Sequence, residues 1–297
     1  MSYKLVKGKY SLFYKSPRNV GSRPSGDSIW FEPEDPDQLS KLGGRRVRYG
    51  RGGYTTLRLE GIDALELSYA GSNHQKLPES VAARDRLLHI VGFEDVTFEH
   101  AQAGEIERVV RGGYPREIDG YILTNGVDPE GRPIGFAFLG FPPHSDGTDT
   151  GWLGPDLMAE SLNAQLLAGG HVYPCYYTGL PTDLRNKLTD LVNGARNCGS
   201  GIWSVDLTSS GARVNNAGDL QHYAIWPKLY RRLMAFFSEG HTDISDFDSW
   251  IRQDPKRDDQ LWIISHGELG NLHDICAVAD KTIRLKVRPE AIVIVPR

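Results

Sequence analysis

Three short stretches carry residue types suited to work on a phosphodiester. Arg58-Leu-Glu-Gly-Ile-Asp63-Ala-Leu-Glu66 puts an arginine on one face of a predicted strand, an aspartate at its end and a glutamate three residues later. Gly26-Asp27-Ser28 sets a carboxylate at a tight turn leading into another strand, and Asp128-Pro-Glu-Gly-Arg132 presents an arginine at the mouth of a third. Hydrolysis of a phosphodiester calls for this mixture. A hard divalent cation takes oxygen ligands, and two carboxylates with a backbone carbonyl leave room for water and a phosphate oxygen. Guanidinium groups stay charged and bind phosphate through paired hydrogen bonds, so they neutralise charge that builds on phosphorus. A carboxylate beside the metal aligns and deprotonates the attacking water.

Those residues need elements to hold them. Segment 8–33 reads as short strands around a polar turn, and residues 54–63 as a strand ending at Asp63, being rich in alternating β-formers. Pro78 opens a helix reaching Val91, as proline at a first helical position does. Strands are expected at Asp95–Glu99, Glu117–Thr124 and Pro133–Leu139. Helices follow at 156–168, closed by Gly169-Gly170, and at 181–193. Strands, helix, strands, then helices is the order of a small barrel carrying helices rather than of a doubly wound sheet. After Trp203 the character changes: a polar stretch at 204–221, helical spacing at 225–237, apolar patches at 247–251 and 261–264, and a β-rich end at 282–295. The expected division is 1–203 and 204–297.

With 39% hydrophobic and 24% charged residues, the chain has a globular composition. Its formal net charge of −4 over 297 residues does not mark a nucleic-acid binder, although local charge is what sets a binding groove. Three widely spaced cysteines without a CxxC predict neither a disulfide framework nor a thiolate metal site. No apolar run approaches the roughly 20 residues of a membrane span. The first residues lack an apolar leader core, which predicts a cytoplasmic protein; a leader removed upstream would leave a secreted or periplasmic location open.

Order and context together resemble the staphylococcal nuclease (thermonuclease) family over about residues 8–203. Arg58 to Glu66 is similar to the family's Arg, four residues, Asp-Thr-Pro-Glu element, with Leu65 where the family carries proline. Pro78-Glu79-Ser80 resembles the start of the first family helix, and Gly131-Arg132-Pro-Ile-Gly-Phe-Ala resembles the Tyr-Gly-Arg opening of a strand. Leu162-Asn163-Ala-Gln-Leu166 resembles the Val-Asn-x-x-Leu helix, and Gly201-Ile202-Trp203 the closing tryptophan.

The resemblance implies an α+β fold, a five-stranded OB barrel with packed helices, here followed by a smaller C-terminal α+β extension. It implies a Ca²⁺-dependent nuclease acting on DNA or RNA with low sequence specificity and leaving 3′-phosphate ends. Asp27 and Asp63 would be the Ca²⁺ carboxylates, with the Ala64 carbonyl as a backbone ligand. Glu66 would be the general base or water-orienting group, near the ion directly or through water. Arg58 and Arg132 would bind the scissile phosphate, and Tyr173 or Tyr176 would contact the nucleotide. Loops at 34–53, 100–116 and 141–155 are enlarged relative to a minimal member.

Arg45, Arg46, Arg48 and Arg51 bring four positive charges and no acid into residues 43–53, with Tyr49 and Tyr54 interleaved. This reads as a phosphate-tracking arm with stacking rings, or as a solvated loop paired with the acidic segment 32–37. Lys228, Arg231 and Arg232 either extend a basic surface or belong to an amphipathic helix docked on the fold. His266, His273 and Asp274 have no metal-site spacing. Two other functions stay open at this stage. One is an inactive OB module that binds single strands. The other is an interaction scaffold whose C-terminal extension holds a protein partner or a second copy.

Overall fold

In the computed structural model, which describes residues 2–14, 20–50, 52–102, 106–142, 144–151 and 153–296, five strands close into a barrel. They are β1 (Lys4–Ser11), β2 (Ser28–Pro33), β3 (Thr55–Leu59), β4 (Glu117–Val127) and β5 (Pro133–Leu139). Around the barrel the order is β1, β2, β3, β5, β4, and β4 pairs back onto β1 from Lys4↔Thr124 to Ser11↔Glu117. All pairs are antiparallel except β3 with β5, whose register is Arg58↔Ile134 and Leu59↔Gly135.

Alternation along the strands explains the closure. On β3, Thr55, Leu57 and Leu59 are buried while Thr56 and Arg58 are half-exposed, the period of a strand with one face on a core. Phe31, Leu57, Ile122 and Phe136 are wholly buried. Tyr10 is buried too, so its hydroxyl needs partners; it donates to the carbonyls of Tyr121 and Phe138 and accepts from Phe138 N–H, at 3.0–3.1 Å. Across from it, a Cβ on Gly120 would come within 2.4 Å of the Tyr10 ring.

Helix α1 (Leu77–Val91) connects β3 to β4 through a hairpin of strands Glu94–His100 and Glu107–Tyr114. The loop expected over 100–116 is thus half strand. Its sequence shows no alternation: the first strand is largely solvated, and the second buries only the adjacent Val109 and Val110, so backbone pairing chiefly defines it. The single helix expected at 156–168 is two, Pro155–Ala159 and α2 (Leu162–Ala168), separated at Glu160-Ser161. Asn163 on α2 is fully buried. Its amide accepts from Ala137 N–H at 3.0 Å and donates to the Glu60 and Gly135 carbonyls at 2.8 and 3.1 Å, pinning α2 to β3 and β5.

The chain divides into two compact units, Met1–Glu60 with Ala82–Leu166, and Gly61–Val81 with Leu167–Arg297. Residues 167–203, read from sequence with the barrel, therefore pack with 204–297. In the second unit Ile62-Asp63 pairs with Tyr173-Pro174. Helices α3 (Thr182–Asn197) and α4 (Pro227–Ser238) accompany a four-stranded and a three-stranded sheet built mainly from residues 260–295. Trp226, Tyr230, Phe236, Phe247 and Ile251 form much of its core. No helix among the described residues is long and apolar enough to cross a membrane.

Candidate functional site

In the first unit, Asp27 ends a turn in which Ser25 donates to its Oδ1 at 2.7 Å, and Leu59 N–H bonds its carbonyl at 2.9 Å. Because Ser28 pairs with Arg58 in the β2–β3 register, the Asp27 carboxylate meets the Arg58 guanidinium and forms an ion pair with it. Both side chains are mostly buried. The register carries the site further. Trp30 lies across from Thr56, Arg58 lies across from Ile134, and Arg132 stands two residues before Ile134. Trp30, Thr56, Arg58, Arg132 and Ile134 are all half-exposed and share the outer face of β2, β3 and β5.

Beside that face a groove of about 380 Å³ is lined by Tyr14, Arg48, Tyr49, Tyr54, Thr56, Glu130 and Arg132, among others. Gly131 makes it possible. Its φ of +82° suits glycine, and a Cβ there would come within 2.9 Å of Arg48 Cβ. This close approach lets Arg48 N–H bond the Gly131 carbonyl at 2.8 Å, joining the arginine loop to the β4–β5 turn. Arg132 is aimed by buried Asp128, which accepts from the Arg132 Nε at 2.6 Å. Aromatic rings cluster alongside: Tyr14 and Trp30 lie with centroids 3.9 Å apart, and Trp30 stacks on Tyr54 at 6.0 Å. Burial above all, and then the Glu117 carboxylate it bonds at 2.9 Å, raise the Tyr54 phenol and keep it neutral. Arg45 and Arg46 are exposed on the same loop. Arg51 lies outside the described residues.

In the second unit, Asp63 is 1% exposed and Ala64 is buried directly after it. Arg231 of α4 bonds Asp63 Oδ2 and Glu66 Oε1, each at 2.6 Å. Tyr173 and Tyr176 sit inside this unit's core. Tyr173 donates to Asp206 at 2.7 Å and packs edge-on against Trp203, and the Tyr176 hydroxyl pairs with Thr189. Neither presents a ring to a ligand. Tyr177 is the exposed neighbour.

The carboxylates as paired do not fit a Ca²⁺ ion. Asp27 is engaged by Arg58, while Asp63 and Glu66 are both engaged by Arg231. Among the described residues no group of three or more His, Cys, Asp or Glu side chains is arranged to hold a metal. His273 is held instead between Asp258 and Asp274, whose carboxylate oxygens lie 2.5 and 2.8 Å from its two ring nitrogens. Sequence reading placed Arg231 on a basic surface or on a docked amphipathic helix, without its acids; they lie more than 160 positions away, and no local signal marks them. Trp30 was legible as a strand residue only, since its role depends on the register with Thr56.

Comparison with known proteins gives no matching protein family and no matching curated protein.

Proposed function

We propose that this protein binds nucleic-acid strands on the outer face of its barrel and hydrolyses their phosphodiester bonds, on an OB-type frame of the staphylococcal nuclease kind. One observation carries the reading: the β3–β5 register sets Arg58 and Arg132 on one face, next to a groove lined by Arg48, Tyr14 and Tyr54, with Trp30 packed against both tyrosines. Guanidinium groups track phosphates, and aromatic rings hold bases without regard to sequence. The parallel β3–β5 pair, with a helix between β3 and β4, supports the OB assignment. Arg58 and Arg132 are the candidates for stabilising charge in the transition state. No step is routed through a metal, because the donor set does not fit one.

A second reading, strand binding without cleavage, is favoured by the ion pairs that engage Asp27, Asp63 and Glu66. End-labelled single- and double-stranded DNA and RNA, incubated with the protein in Ca²⁺, Mg²⁺ or chelator, separate the two. Cleavage that Arg58→Ala or Arg132→Ala lowers by about 10²–10³ supports hydrolysis. Salt-sensitive retention without cleavage supports the second reading. Neither retention nor cleavage ends both.

A further inference from the structure

Within the second unit, two acids and one guanidinium form a closed set. Arg231 donates through Nη2 to Asp63 Oδ2 and through Nη1 to Glu66 Oε1, both at 2.6 Å, with a longer contact to Asp63 Oδ1 at 3.4 Å. A buried carboxylate such as Asp63 requires a nearby positive charge, and here an arginine supplies it. A divalent ion would have to use the same oxygens, and placing it beside the guanidinium would set like charges a few ångströms apart.

We infer that Arg231 is the resident cation of the Asp63–Glu66 pair, standing where a Ca²⁺ ion would have to bind, so that a divalent metal enters only once that positive charge is removed.

The placement is built in. Gln75, wholly buried, accepts from Glu66 N–H at 3.1 Å and donates to the Ile225 carbonyl at 2.8 Å, two residues before α4. Tyr230 donates to the His74 carbonyl at 3.0 Å. These bonds fix the first turn of α4 against residues 66–75 and set the reach of Arg231. The other two cations of that turn, Lys228 and Arg232, are both engaged by Asp259 at 3.0 and 2.8 Å. Burial opposes the charge on Arg231, but Asp63 and Glu66 outweigh it and hold the guanidinium protonated well above its ordinary range.

The test is ion binding to the full chain, by Tb³⁺ luminescence and Ca²⁺ calorimetry, and its outcome is separate from whether the barrel binds nucleic acid. Wild type and Arg231→Lys are expected to show no saturable site up to about 1 mM, the weak end of Ca²⁺ sites. Arg231→Gln is expected to gain a site at least about tenfold tighter than that limit, one that a second change, Glu66→Gln, removes. A folded Arg231→Gln protein that binds Ca²⁺ no better than wild type overturns the inference. If that variant does not fold, the wild type decides: Ca²⁺ binding that Glu66→Gln abolishes overturns the inference, and no binding supports it.

Discussion

Asp128 receives Arg132 twice, from the backbone N–H at 2.8 Å and from Nε at 2.6 Å, and Nη2 lies 3.6 Å from exposed Glu130, so the guanidinium is held on a fixed base. A guanidinium held in this way loses little freedom when it meets a phosphate. Arg132→Ala is therefore expected to weaken binding of single strands of any sequence. It should also reduce the slope of log K against log salt by about 0.7. Arg48→Ala should behave alike. Filter binding over a salt series is the measurement, and an unchanged slope would remove both residues from the interface.

Tyr14 makes the opposite prediction. It lines the groove as an uncharged ring, so Tyr14→Ala should cost about 1–3 kcal/mol of binding while leaving the salt slope as it was. The same titrations read both numbers.

Removing Arg231 leaves Asp63 buried beside Glu66 with no partner from α4. Breaking a buried pair costs about 3–5 kcal/mol, and the partial exposure of Arg231 lowers the expectation to about 2–4 kcal/mol for Arg231→Ala. Adding Asp63→Asn should restore part of that loss, because it removes the stranded charge. Urea unfolding of the two single variants and the double variant measures the coupling.

Asn163→Ala takes three hydrogen bonds from buried backbone groups at once. A loss of about 2–4 kcal/mol in the unfolding free energy from urea titration is expected, since each orphaned group costs about 1–3 kcal/mol and a water recovers part. A change within about 0.5 kcal/mol would mean that α2 is held by its apolar contacts alone.

Glu60 supplies a pH dependence. Burial raises its carboxyl to about 7 from an ordinary 4.5, against a lowering hydrogen bond from Tyr3 at 3.2 Å. Between those values the folded chain keeps a proton that the unfolded chain has released, so stability falls as pH rises through this window. The loss levels off above about 7, at roughly 3 kcal/mol. Glu60→Gln should flatten the wild-type curve between about pH 3.5 and about pH 8, and identical curves for the two proteins would refute the assignment.

Much of the barrel was legible because alternation and turn chemistry agreed. Pro133–Leu139 is found as read, and the helix from Pro78 begins one residue earlier, at Leu77. Residues 107–114 were not legible, because Glu107-Arg-Val-Val-Arg-Gly-Gly-Tyr is a strand only through its hairpin partner. For the site, Arg48 and Arg132 share a groove, an outcome that spacing along the chain does not contain, since Gly131 brings them together. Tyr173 and Tyr176 show the reverse. An aligned position carries no information on burial, and both rings fill a core. Arg231 shows what helical spacing leaves out: it allows a docked helix at 225–237, but the acid that meets each of its three cations comes from elsewhere in the chain.

The five strands close into a ring, and β4 pairs with β1 along its whole length. A guest strand cannot join by adding itself to the sheet, so whatever this barrel recognises must be gripped by side chains standing off its wall. On the binding function proposed above, discrimination between guests falls to a few half-exposed positions. A change at Trp30, Thr56 or Ile134 can retune preference while the staves beneath stay as they are.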